Sequence, residues 1–244
     1  LKTDMINSVP LNYKQNKENE RLQLNNVLDL GTDNDKRLKL AVDYLKYLGT
    51  DKISASEKLE EFYKLGCDLK VSTDSKSTKI SLTGLSSNLD SSVKLLEHIL
   101  ANAIEDEDAL SSLKLNYKKQ KEDAKLNKQT ILFTAMTNFA RYGSSSSFTN
   151  SLSDEELEAI TSKELIDLIH NLTLNEHRVL FYGPDNISNV KNLIVKYHHT
   201  EDLTPITNVN LNIEQEINSN QIYVVDYDMK QAEIIMFAKG SKHD

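Results

Sequence analysis

Residues 54–100 read SASEKLEEFYKLGCDLKVSTDSKSTKISLTGLSSNLDSSVKLLEHIL, and this stretch decides the fold class. It begins with Ser-x-x-Glu, the capping-box pattern of a helix start, and the helix that it predicts ends at Gly66. Two alternating runs follow, Asp68 to Thr73 and Thr78 to Leu85, joined by a polar turn. Apolar residues return at helical spacing from Leu89. We therefore predict an α+β fold, a largely antiparallel sheet with helices packed on one face.

The composition of the whole chain agrees with long helices and few turns. Only 7 of the 244 residues are Gly and 3 are Pro, far below the usual roughly 7% and 5%. No window reaches the roughly 18 uncharged apolar residues of a transmembrane helix, so no membrane span is expected. A single cysteine excludes an internal disulfide. The formal net charge of −8 disfavours nucleic acid as a partner.

The N-terminal flank carries strand and helix signals. Val9 to Tyr13 and Leu22 to Leu30 predict a hairpin that Gly31 closes. The polar run 33–35 then predicts the start of a helix that ends at Gly49. Like the glycine that ends the following helix, Gly49 is expected at a C-cap with positive φ.

The C-terminal flank predicts a mostly helical region and one more strand. A helix is expected from Asp106 to about Arg141, with a bend near Leu126-Asn127 because of its length. Residues 142–147 form the one Gly/Ser-rich loop. A strand from Arg178 to Tyr182 and a helix from Ile187 to Tyr197 complete the pattern.

The patterns divide the chain into three parts. Residues 1–200 form one domain, 201–220 a linker without periodicity, and 221–244 the opening hairpin of a second, truncated domain. That hairpin would pair residues 222–227 with 232–238. The chain starts with neither an initiator methionine nor a signal peptide, so we expect a piece of a longer protein. Its compartment is unknown; a periplasmic or envelope location would follow if the parent is bacterial and secreted.

Histidines are the first candidates for catalysis or metal binding, and they lack the needed spacing. The six are His98, His170, His177, His198, His199 and His243. There is no His-Glu-x-x-His or His-x-x-Glu-His to place two imidazoles one helical turn apart. His170 and His177 flank a helix-to-strand turn and could meet, but no carboxylate has ligand spacing to both. His198 and His199 lie at a helix end, where cations suit the dipole, and they point apart, so a shared metal is not expected.

Three other features have both a chemical and a structural interpretation. Cys67 enters a strand, where a small apolar residue fits, and a nucleophile would need a histidine neighbour. The serine run 144–147 could hold an anion, but no phosphate-loop pattern accompanies it, so a flexible loop is favoured. The acidic run 105–108 suits a helix start without any calcium. No catalytic, cofactor-binding or metal-ligating residue is assigned.

Short stretches over essentially the whole chain resemble the insulinase (pitrilysin-type) zinc metallopeptidases. They are Asp29-Leu30-Gly31, Tyr47-Leu48-Gly49-Thr50, Ser54-Ala55-Ser56-Glu57, Phe62-Tyr63-Lys64-Leu65-Gly66, Ile80-Ser81-Leu82-Thr83-Gly84-Leu85, Leu95-Leu96-Glu97-His98-Ile99-Leu100, Ser151-Leu152-Ser153-Asp154-Glu155-Glu156-Leu157 and Val179-Leu180-Phe181-Tyr182-Gly183-Pro184. No single stretch is decisive, but their order and spacing are specific together.

The resemblance implies that the zinc motif is missing from this chain. The family carries His-x-x-Glu-His on the helix before a Gly-Thr pair. Registering on Gly49-Thr50 places Leu40 and Tyr44 at the histidine positions and Asp43 at the glutamate. The third ligand would fall near Gln120 to Glu122, and Glu122 alone holds no zinc. No functional residue is carried over, and the family's substrate-binding Arg and Tyr pair would lie beyond this chain.

By this resemblance, the chain is a non-catalytic C-terminal-half segment of an insulinase-like zinc metallopeptidase. It would form chamber wall and closing surface, with the N-terminal catalytic half of the same polypeptide and a peptide or protein substrate as partners. Zinc would lie in that catalytic half, and the parent would be the enzyme. The acidic balance would fit a chamber that prefers basic or extended peptides. The alternatives are a structural subunit of the same superfamily without a peptidase role, and an independent enzyme that uses Cys67 or the serine run.

Overall fold

A computed structural model describes residues 1–216, 218–227, 230, 232–238 and 240. Its centre is a mixed six-stranded sheet in the order β1-β2-β6-β3-β5-β4. The strands are β1 (Lys2–Ile6), β2 (Val9–Gln15), β3 (Arg21–Leu28), β4 (Asp68–Thr73), β5 (Thr78–Leu85) and β6 (Arg178–Gly183). Only the β2–β6 pair is parallel; the other neighbours are antiparallel. The expected largely antiparallel α+β fold is confirmed.

The described residues also form eight α-helices, most of which contribute side chains to the core on one face of this sheet. They are α1 (Leu38–Tyr44), α2 (Ala55–Lys64), α3 (Leu89–Asn102), α4 (Glu107–Lys125), α5 (Thr137–Tyr142), α6 (Asp154–Ala159), α7 (Ser162–Asn171) and α8 (Ile187–Tyr197). Capping boxes begin α2 at Ser54, α6 at Ser153 and α7 at Thr161. Asp106 caps α4 by accepting a hydrogen bond from the amide of Ala109. Side-chain hydrogen bonds therefore fix where these helices begin.

The two faces of the sheet differ sharply in burial. One face packs on the helices and supplies the strand part of the core, namely Val9, Leu11, Tyr13, Leu22, Leu24, Leu28, Ile80, Leu82, Val179 and Phe181. Because strand side chains alternate, the intervening residues point the other way. We call this second surface the open face; it comprises Asn12, Lys14, Arg21, Gln23, Asn25, Val27, Asp68, Lys70, Ser72, Lys79, Ser81, Thr83, Arg178, Leu180 and Tyr182.

The expected hairpin between β2 and β3 is wrong. β6 lies between them, parallel to β2 through Tyr13 and Phe181 and antiparallel to β3 through Leu24 and Phe181. β2 instead forms a hairpin with β1, a strand that the sequence patterns did not reveal. The turn uses Asn7 at a φ of 50°, a conformation that asparagine tolerates better than most residues.

Helix ends follow the expectations only in part. Gly66 has a φ of 60°, as predicted for a C-cap glycine. Gly49 lies outside the left-handed region in this structure: a Cβ there would come within 2.5 Å of the Ile53 carbonyl oxygen, so close backbone approach requires the glycine. α1 begins after Arg37, without a side-chain cap, because Asp35 hydrogen-bonds the Arg37 amide and guanidinium instead.

The predicted long helix is interrupted where the bend was expected. α4 ends at Lys125, with Leu126 as its C-cap, and the Asn127 side chain then accepts hydrogen bonds from the amides of Gln129 and Thr130. A π-helical segment, Thr130–Met136, leads into α5. The competing side-chain bond of Asn127 explains the break, since it replaces helical backbone bonds.

The segment after α8 lies against the domain. The amide of Gln215 donates to the Arg141 carbonyl, and the amide of Ser147 donates to the Asn212 side chain. The described parts of 222–227 and 232–238 contain no strand. Residues 228, 229 and 231, the turn of the expected second hairpin, fall outside the described residues.

Candidate functional site

The positions that correspond to the two zinc-ligand histidines lie in the hydrophobic core. Leu40 and Tyr44 are one turn apart on α1, and both side chains are 0% exposed. The helix presents them to the core because apolar residues recur at helical spacing along it. Zinc is held by imidazole, thiolate or carboxylate groups, and neither of these buried side chains supplies one.

The phenol of Tyr44 is tied into the packing of three helices. Its oxygen donates to the Asp106 carbonyl at 2.8 Å and accepts the Asp106 amide at 2.7 Å. It also contacts the hydroxyl of Ser162, a fully buried residue at the start of α7. Burial raises the pKa of Tyr44 above its ordinary value. The phenol therefore joins α1 to the starts of α4 and α7 as a neutral hydrogen-bonding group.

The glutamate position holds Asp43, which bridges two helices. Its carboxylate accepts hydrogen bonds from Lys39 at 2.7 Å, Lys46 at 2.6 Å and the Tyr117 hydroxyl of α4 at 2.6 Å. Burial alone would raise the pKa of Asp43, but these three hydrogen bonds lower it below its ordinary value. Burial and this carboxylate raise the pKa of Tyr117. Asp43 is thus a fixed anion whose acceptor sites are occupied, which is the opposite of a general base poised near neutral pH.

Glu122, the carboxylate nearest to the expected third ligand, is exposed on α4. Over the part of the chain that the structure describes, no three His, Cys, Asp or Glu side chains are grouped to hold a metal ion. The same part contains no helix with the length and apolarity needed to cross a bilayer.

Solved structures of other proteins share this fold. The peptidase M16 inactive domain from Pseudomonas fluorescens matches with a TM-score of 0.72 and 15% identity, over 86% of this chain and 53% of that chain. The chain has the fold of a peptidase M16 inactive domain. M16 peptidases are the insulinase and pitrilysin type, so the expected resemblance is confirmed at the level of the fold.

Two larger proteins share the M16 fold with this chain. The periplasmic protease PqqL from Escherichia coli gives a TM-score of 0.69 at 14% identity, over 88% of this chain and 24% of that one. The ferredoxin protease FusC, solved in complex with Arabidopsis ferredoxin, gives 0.70 at 13% identity, over 86% and 24%. The chain therefore spans between a quarter and about half of these structures. No family model and no curated protein matches its sequence.

One polar cluster of this M16 fold was not foreseen from the sequence. His198 donates from Nδ1 to the Glu97 carboxylate at 2.7 Å, and its Nε2 lies 2.8 Å from the Nε2 of His177. Both rings are buried, at 6% and 7% exposure. The contact that the sequence allowed between His170 and His177 is not formed, since His170 contacts the Ala103 carbonyl instead. Glu97 and His198 are 101 residues apart, so no local spacing could have revealed the pair.

The hydrogen-bond partners fix where the protons lie in this cluster. His177 Nδ1 contacts the Asn175 carbonyl at 2.7 Å and must donate to it, because a carbonyl only accepts. Burial lowers the pKa of His177 to about 4, so the ring is neutral at pH 7 and its Nε2 is an acceptor. The proton between the two Nε2 atoms therefore belongs to His198. The cluster is an internal chain of hydrogen bonds from Glu97 through His198 to His177, in which both Nε2 atoms are occupied.

The remaining candidates are structural in this M16 fold. Cys67 Sγ contacts the Ser92 hydroxyl at 2.9 Å and packs so closely on Gly84 that a Cβ there would lie 2.2 Å away. In the serine run, Ser147 donates to Asp33 at 2.6 Å and Ser146 is 2% exposed. The described contacts of Cys67 and of the run include no histidine. His98 bonds Thr50 and Asn102, and His243 lies outside the described residues.

Proposed function

We propose that this chain is a non-catalytic domain of an M16-type zinc metallopeptidase, in the half that lacks the zinc site. The observation that carries the proposal is the filled core at Leu40 and Tyr44 in a fold shared with an M16 inactive domain. The catalytic zinc would be held by another half of the parent protein. In that arrangement this domain binds and positions substrate, and it performs no bond cleavage of its own.

The second part of the proposal concerns the partner halves. The two halves would close around a peptide or protein substrate, with this domain as chamber wall. The open face supports this role, because it is a broad, largely polar surface of five strands on the side of the sheet away from the helical core. Residues 201–220 would be a connecting segment, and 221–244 would pair with a following domain. The exposed apolar side chains of Ile222, Val224 and Ile234 are consistent with such pairing.

A complementation assay tests this function. The zinc-bearing half is made separately, and peptide cleavage is measured with and without the half that contains this chain. We expect no cleavage by this chain alone and a large gain when the two halves are combined. Full-rate cleavage by the zinc-bearing half alone would contradict the proposal and favour a structural subunit. Cleavage by this chain alone in the presence of a chelator would contradict it in favour of an independent enzyme.

A further inference from the structure

The open face carries a charge of opposite sign to the chain. Five basic residues occupy outward strand positions on it, namely Lys14, Arg21, Lys70, Lys79 and Arg178. Only one acidic residue, Asp68, shares these strand positions, and Asp29 lies at the end of β3. The whole chain has 29 basic and 37 acidic residues, so the acidic excess lies on the helices and loops.

Most of these cations have no carboxylate partner within the described residues. Arg178 is paired with Asp29 at 2.8 Å. Lys14, Arg21, Lys70 and Lys79 form no salt bridge there, and Lys14 lies 5.8 Å from the ring centroid of Tyr182. Cations on the helical side are commonly paired, as Lys39 is with Asp43 and Lys196 with Asp90. The open face thus keeps its positive charge available.

The strand register spreads these charges across the sheet. Lys70 on β4 pairs in register with Ser81, and Asn25 and Leu180 continue the same row toward β2. Strands in a sheet lie about 4.8 Å apart, so the four steps from β4 to β2 span about 19 Å. An extended peptide advances about 3.3 Å per residue. A segment of about six residues would reach from Lys70 to the Lys14 side.

We propose that the open face binds an acidic, extended polypeptide segment, an inference that rests on the proposed function and names its substrate chemistry. The four unpaired cations attract carboxylates, while the partly exposed neutral side chains of Asn12, Ser81 and Thr83 offer amide and hydroxyl groups to a peptide backbone. From net charge alone we expected basic or extended peptides; the proposal keeps the extended form and replaces the basic character with acidic. A nucleic acid duplex fits less well, since the surrounding chain is negatively charged and repels a dense polyanion.

The test measures binding of fluorescent peptides to the full chain. One peptide alternates Glu and Ser, and two controls carry Gln or Lys in place of Glu. We expect the Glu peptide to bind about tenfold or more tightly than the Gln peptide at low salt, with the preference shrinking as salt rises. Equal binding of the Glu and Gln peptides, or preference for the Lys peptide, would overturn the proposal.

Two matched variants locate the site. The first removes four cations of the open face (K14Q/R21Q/K70Q/K79Q) and should lose most of the preference for the Glu peptide. The control removes the same charge from exposed helix and loop positions (K52Q/K94Q/K119Q/K125Q) and should keep that preference. Circular dichroism checks that the fourfold variant is folded. If it folds poorly, the K70Q/K79Q variant, with substitutions on two strands, replaces it in the binding measurement. An equal loss of the Glu-peptide preference in both variants would show that the open face is not the binding site. Tighter binding of duplex DNA than of the Glu peptide, or self-association that covers the open face, would also overturn the proposal.

The peptide-binding test and the complementation assay can fail independently of each other. If the halves restore cleavage of neutral and acidic peptides equally, the proposed function stands and the acidic preference fails. If the Glu peptide binds the open face but no cleavage is restored, the preference stands and the peptidase role fails.

Discussion

The Nε2 atoms of His177 and His198 lie 2.8 Å apart, and the proton between them is carried by His198. His177 stays neutral because its ring is buried, and this burial outweighs the hydrogen bond from its Nδ1–H to the Asn175 carbonyl, which by itself raises its pKa. The pair holds the start of β6 against the residue that follows α8. Protonation of His177 therefore links the stability of the fold to pH.

The first prediction concerns acid stability. Burial lowers the pKa of His177 to about 4, against 6.5 in a free side chain. The unfolded chain then binds more protons between pH 6.5 and 4, so the stabilising contribution is complete above pH 6.5 and is lost as pH falls toward 4. The loss is on the order of 3 kcal/mol. Urea unfolding at several pH values should show this slope for the parent chain and a shallower one for His177→Gln. The exposed His199→Gln is the control; a slope equal in all three chains would contradict the assignment.

The second prediction concerns zinc. The purified chain should hold no stoichiometric zinc after dialysis, because Leu40 and Tyr44 stand at the ligand positions and both are buried. Elemental analysis provides the measurement. One tightly held zinc per chain would show that the register on Gly49-Thr50 is wrong.

Tyr44→Phe tests the hydrogen bonds of the phenol. The substitution leaves the Asp106 amide and the Ser162 hydroxyl without this partner, and buried unsatisfied groups cost about 1–3 kcal/mol each. We expect a loss of about 2 kcal/mol in the free energy of unfolding. Tyr47→Phe removes a hydroxyl from a half-exposed side chain and should change stability little. Equal effects of the two substitutions would refute the role of Tyr44.

Lys58 supports a different prediction, on the residues that follow α1. Its buried ammonium donates to the carbonyls of Leu45 at 2.8 Å and Leu48 at 2.6 Å, and burial lowers its pKa to about 8. Lys58→Met keeps the apolar stem but leaves these carbonyls unsatisfied, so a loss of about 1–3 kcal/mol is expected. Lys64→Met, on the exposed side of the same helix, should stay within about 0.5 kcal/mol of the parent chain. Thermal or urea unfolding of both variants measures these changes in stability.

Gly66 and Gly49 should respond to substitution for different reasons. At Gly66 the φ of 60° disfavours any residue with a Cβ, so Gly66→Val should cost about 1–2 kcal/mol and Gly66→Asn less. At Gly49 a Cβ meets backbone atoms, so Ala and Asn should both be destabilising. If Gly49→Asn is tolerated as well as Gly66→Asn, the close approach is misplaced. Thermal midpoints measure both series.

Local chemistry explains which elements could be predicted from the sequence. The capping boxes at Ser54, Ser153 and Thr161 and the break at Asn127 each depend on residues within four positions. The placement of β6 between β2 and β3 depends on contacts more than 150 residues apart, for which the sequence has no periodic signal.

Some features of the candidate site could likewise be predicted from the sequence, and others could not. The loss of zinc ligands at Leu40 and Tyr44 follows from register against a motif. The link from Glu97 to His198 joins two helices distant in sequence, and neither residue has a local pattern that indicates it. The positive open face could be predicted in part, since Lys70 and Lys79 occupy outward positions of predicted alternating runs, whereas Lys14 and Arg21 lie just outside the runs that the sequence indicates. The formal net charge of the whole chain is −8 and does not reveal this local positive surface.

The insertion of β6 also sets an order of events in folding. β2 and β3 are made first but have no bonds to each other, so the sheet consists of two separate parts, β1–β2 and β3–β5–β4, until residues 178–183 arrive. Closing the sheet across so long a loop is entropically slow, as in other proteins rich in distant contacts. A ribosome must therefore synthesise about three quarters of the chain before these apolar strands can be joined. Until then the facing edges of β2 and β3 are unpaired and exposed to chaperones or to aggregation.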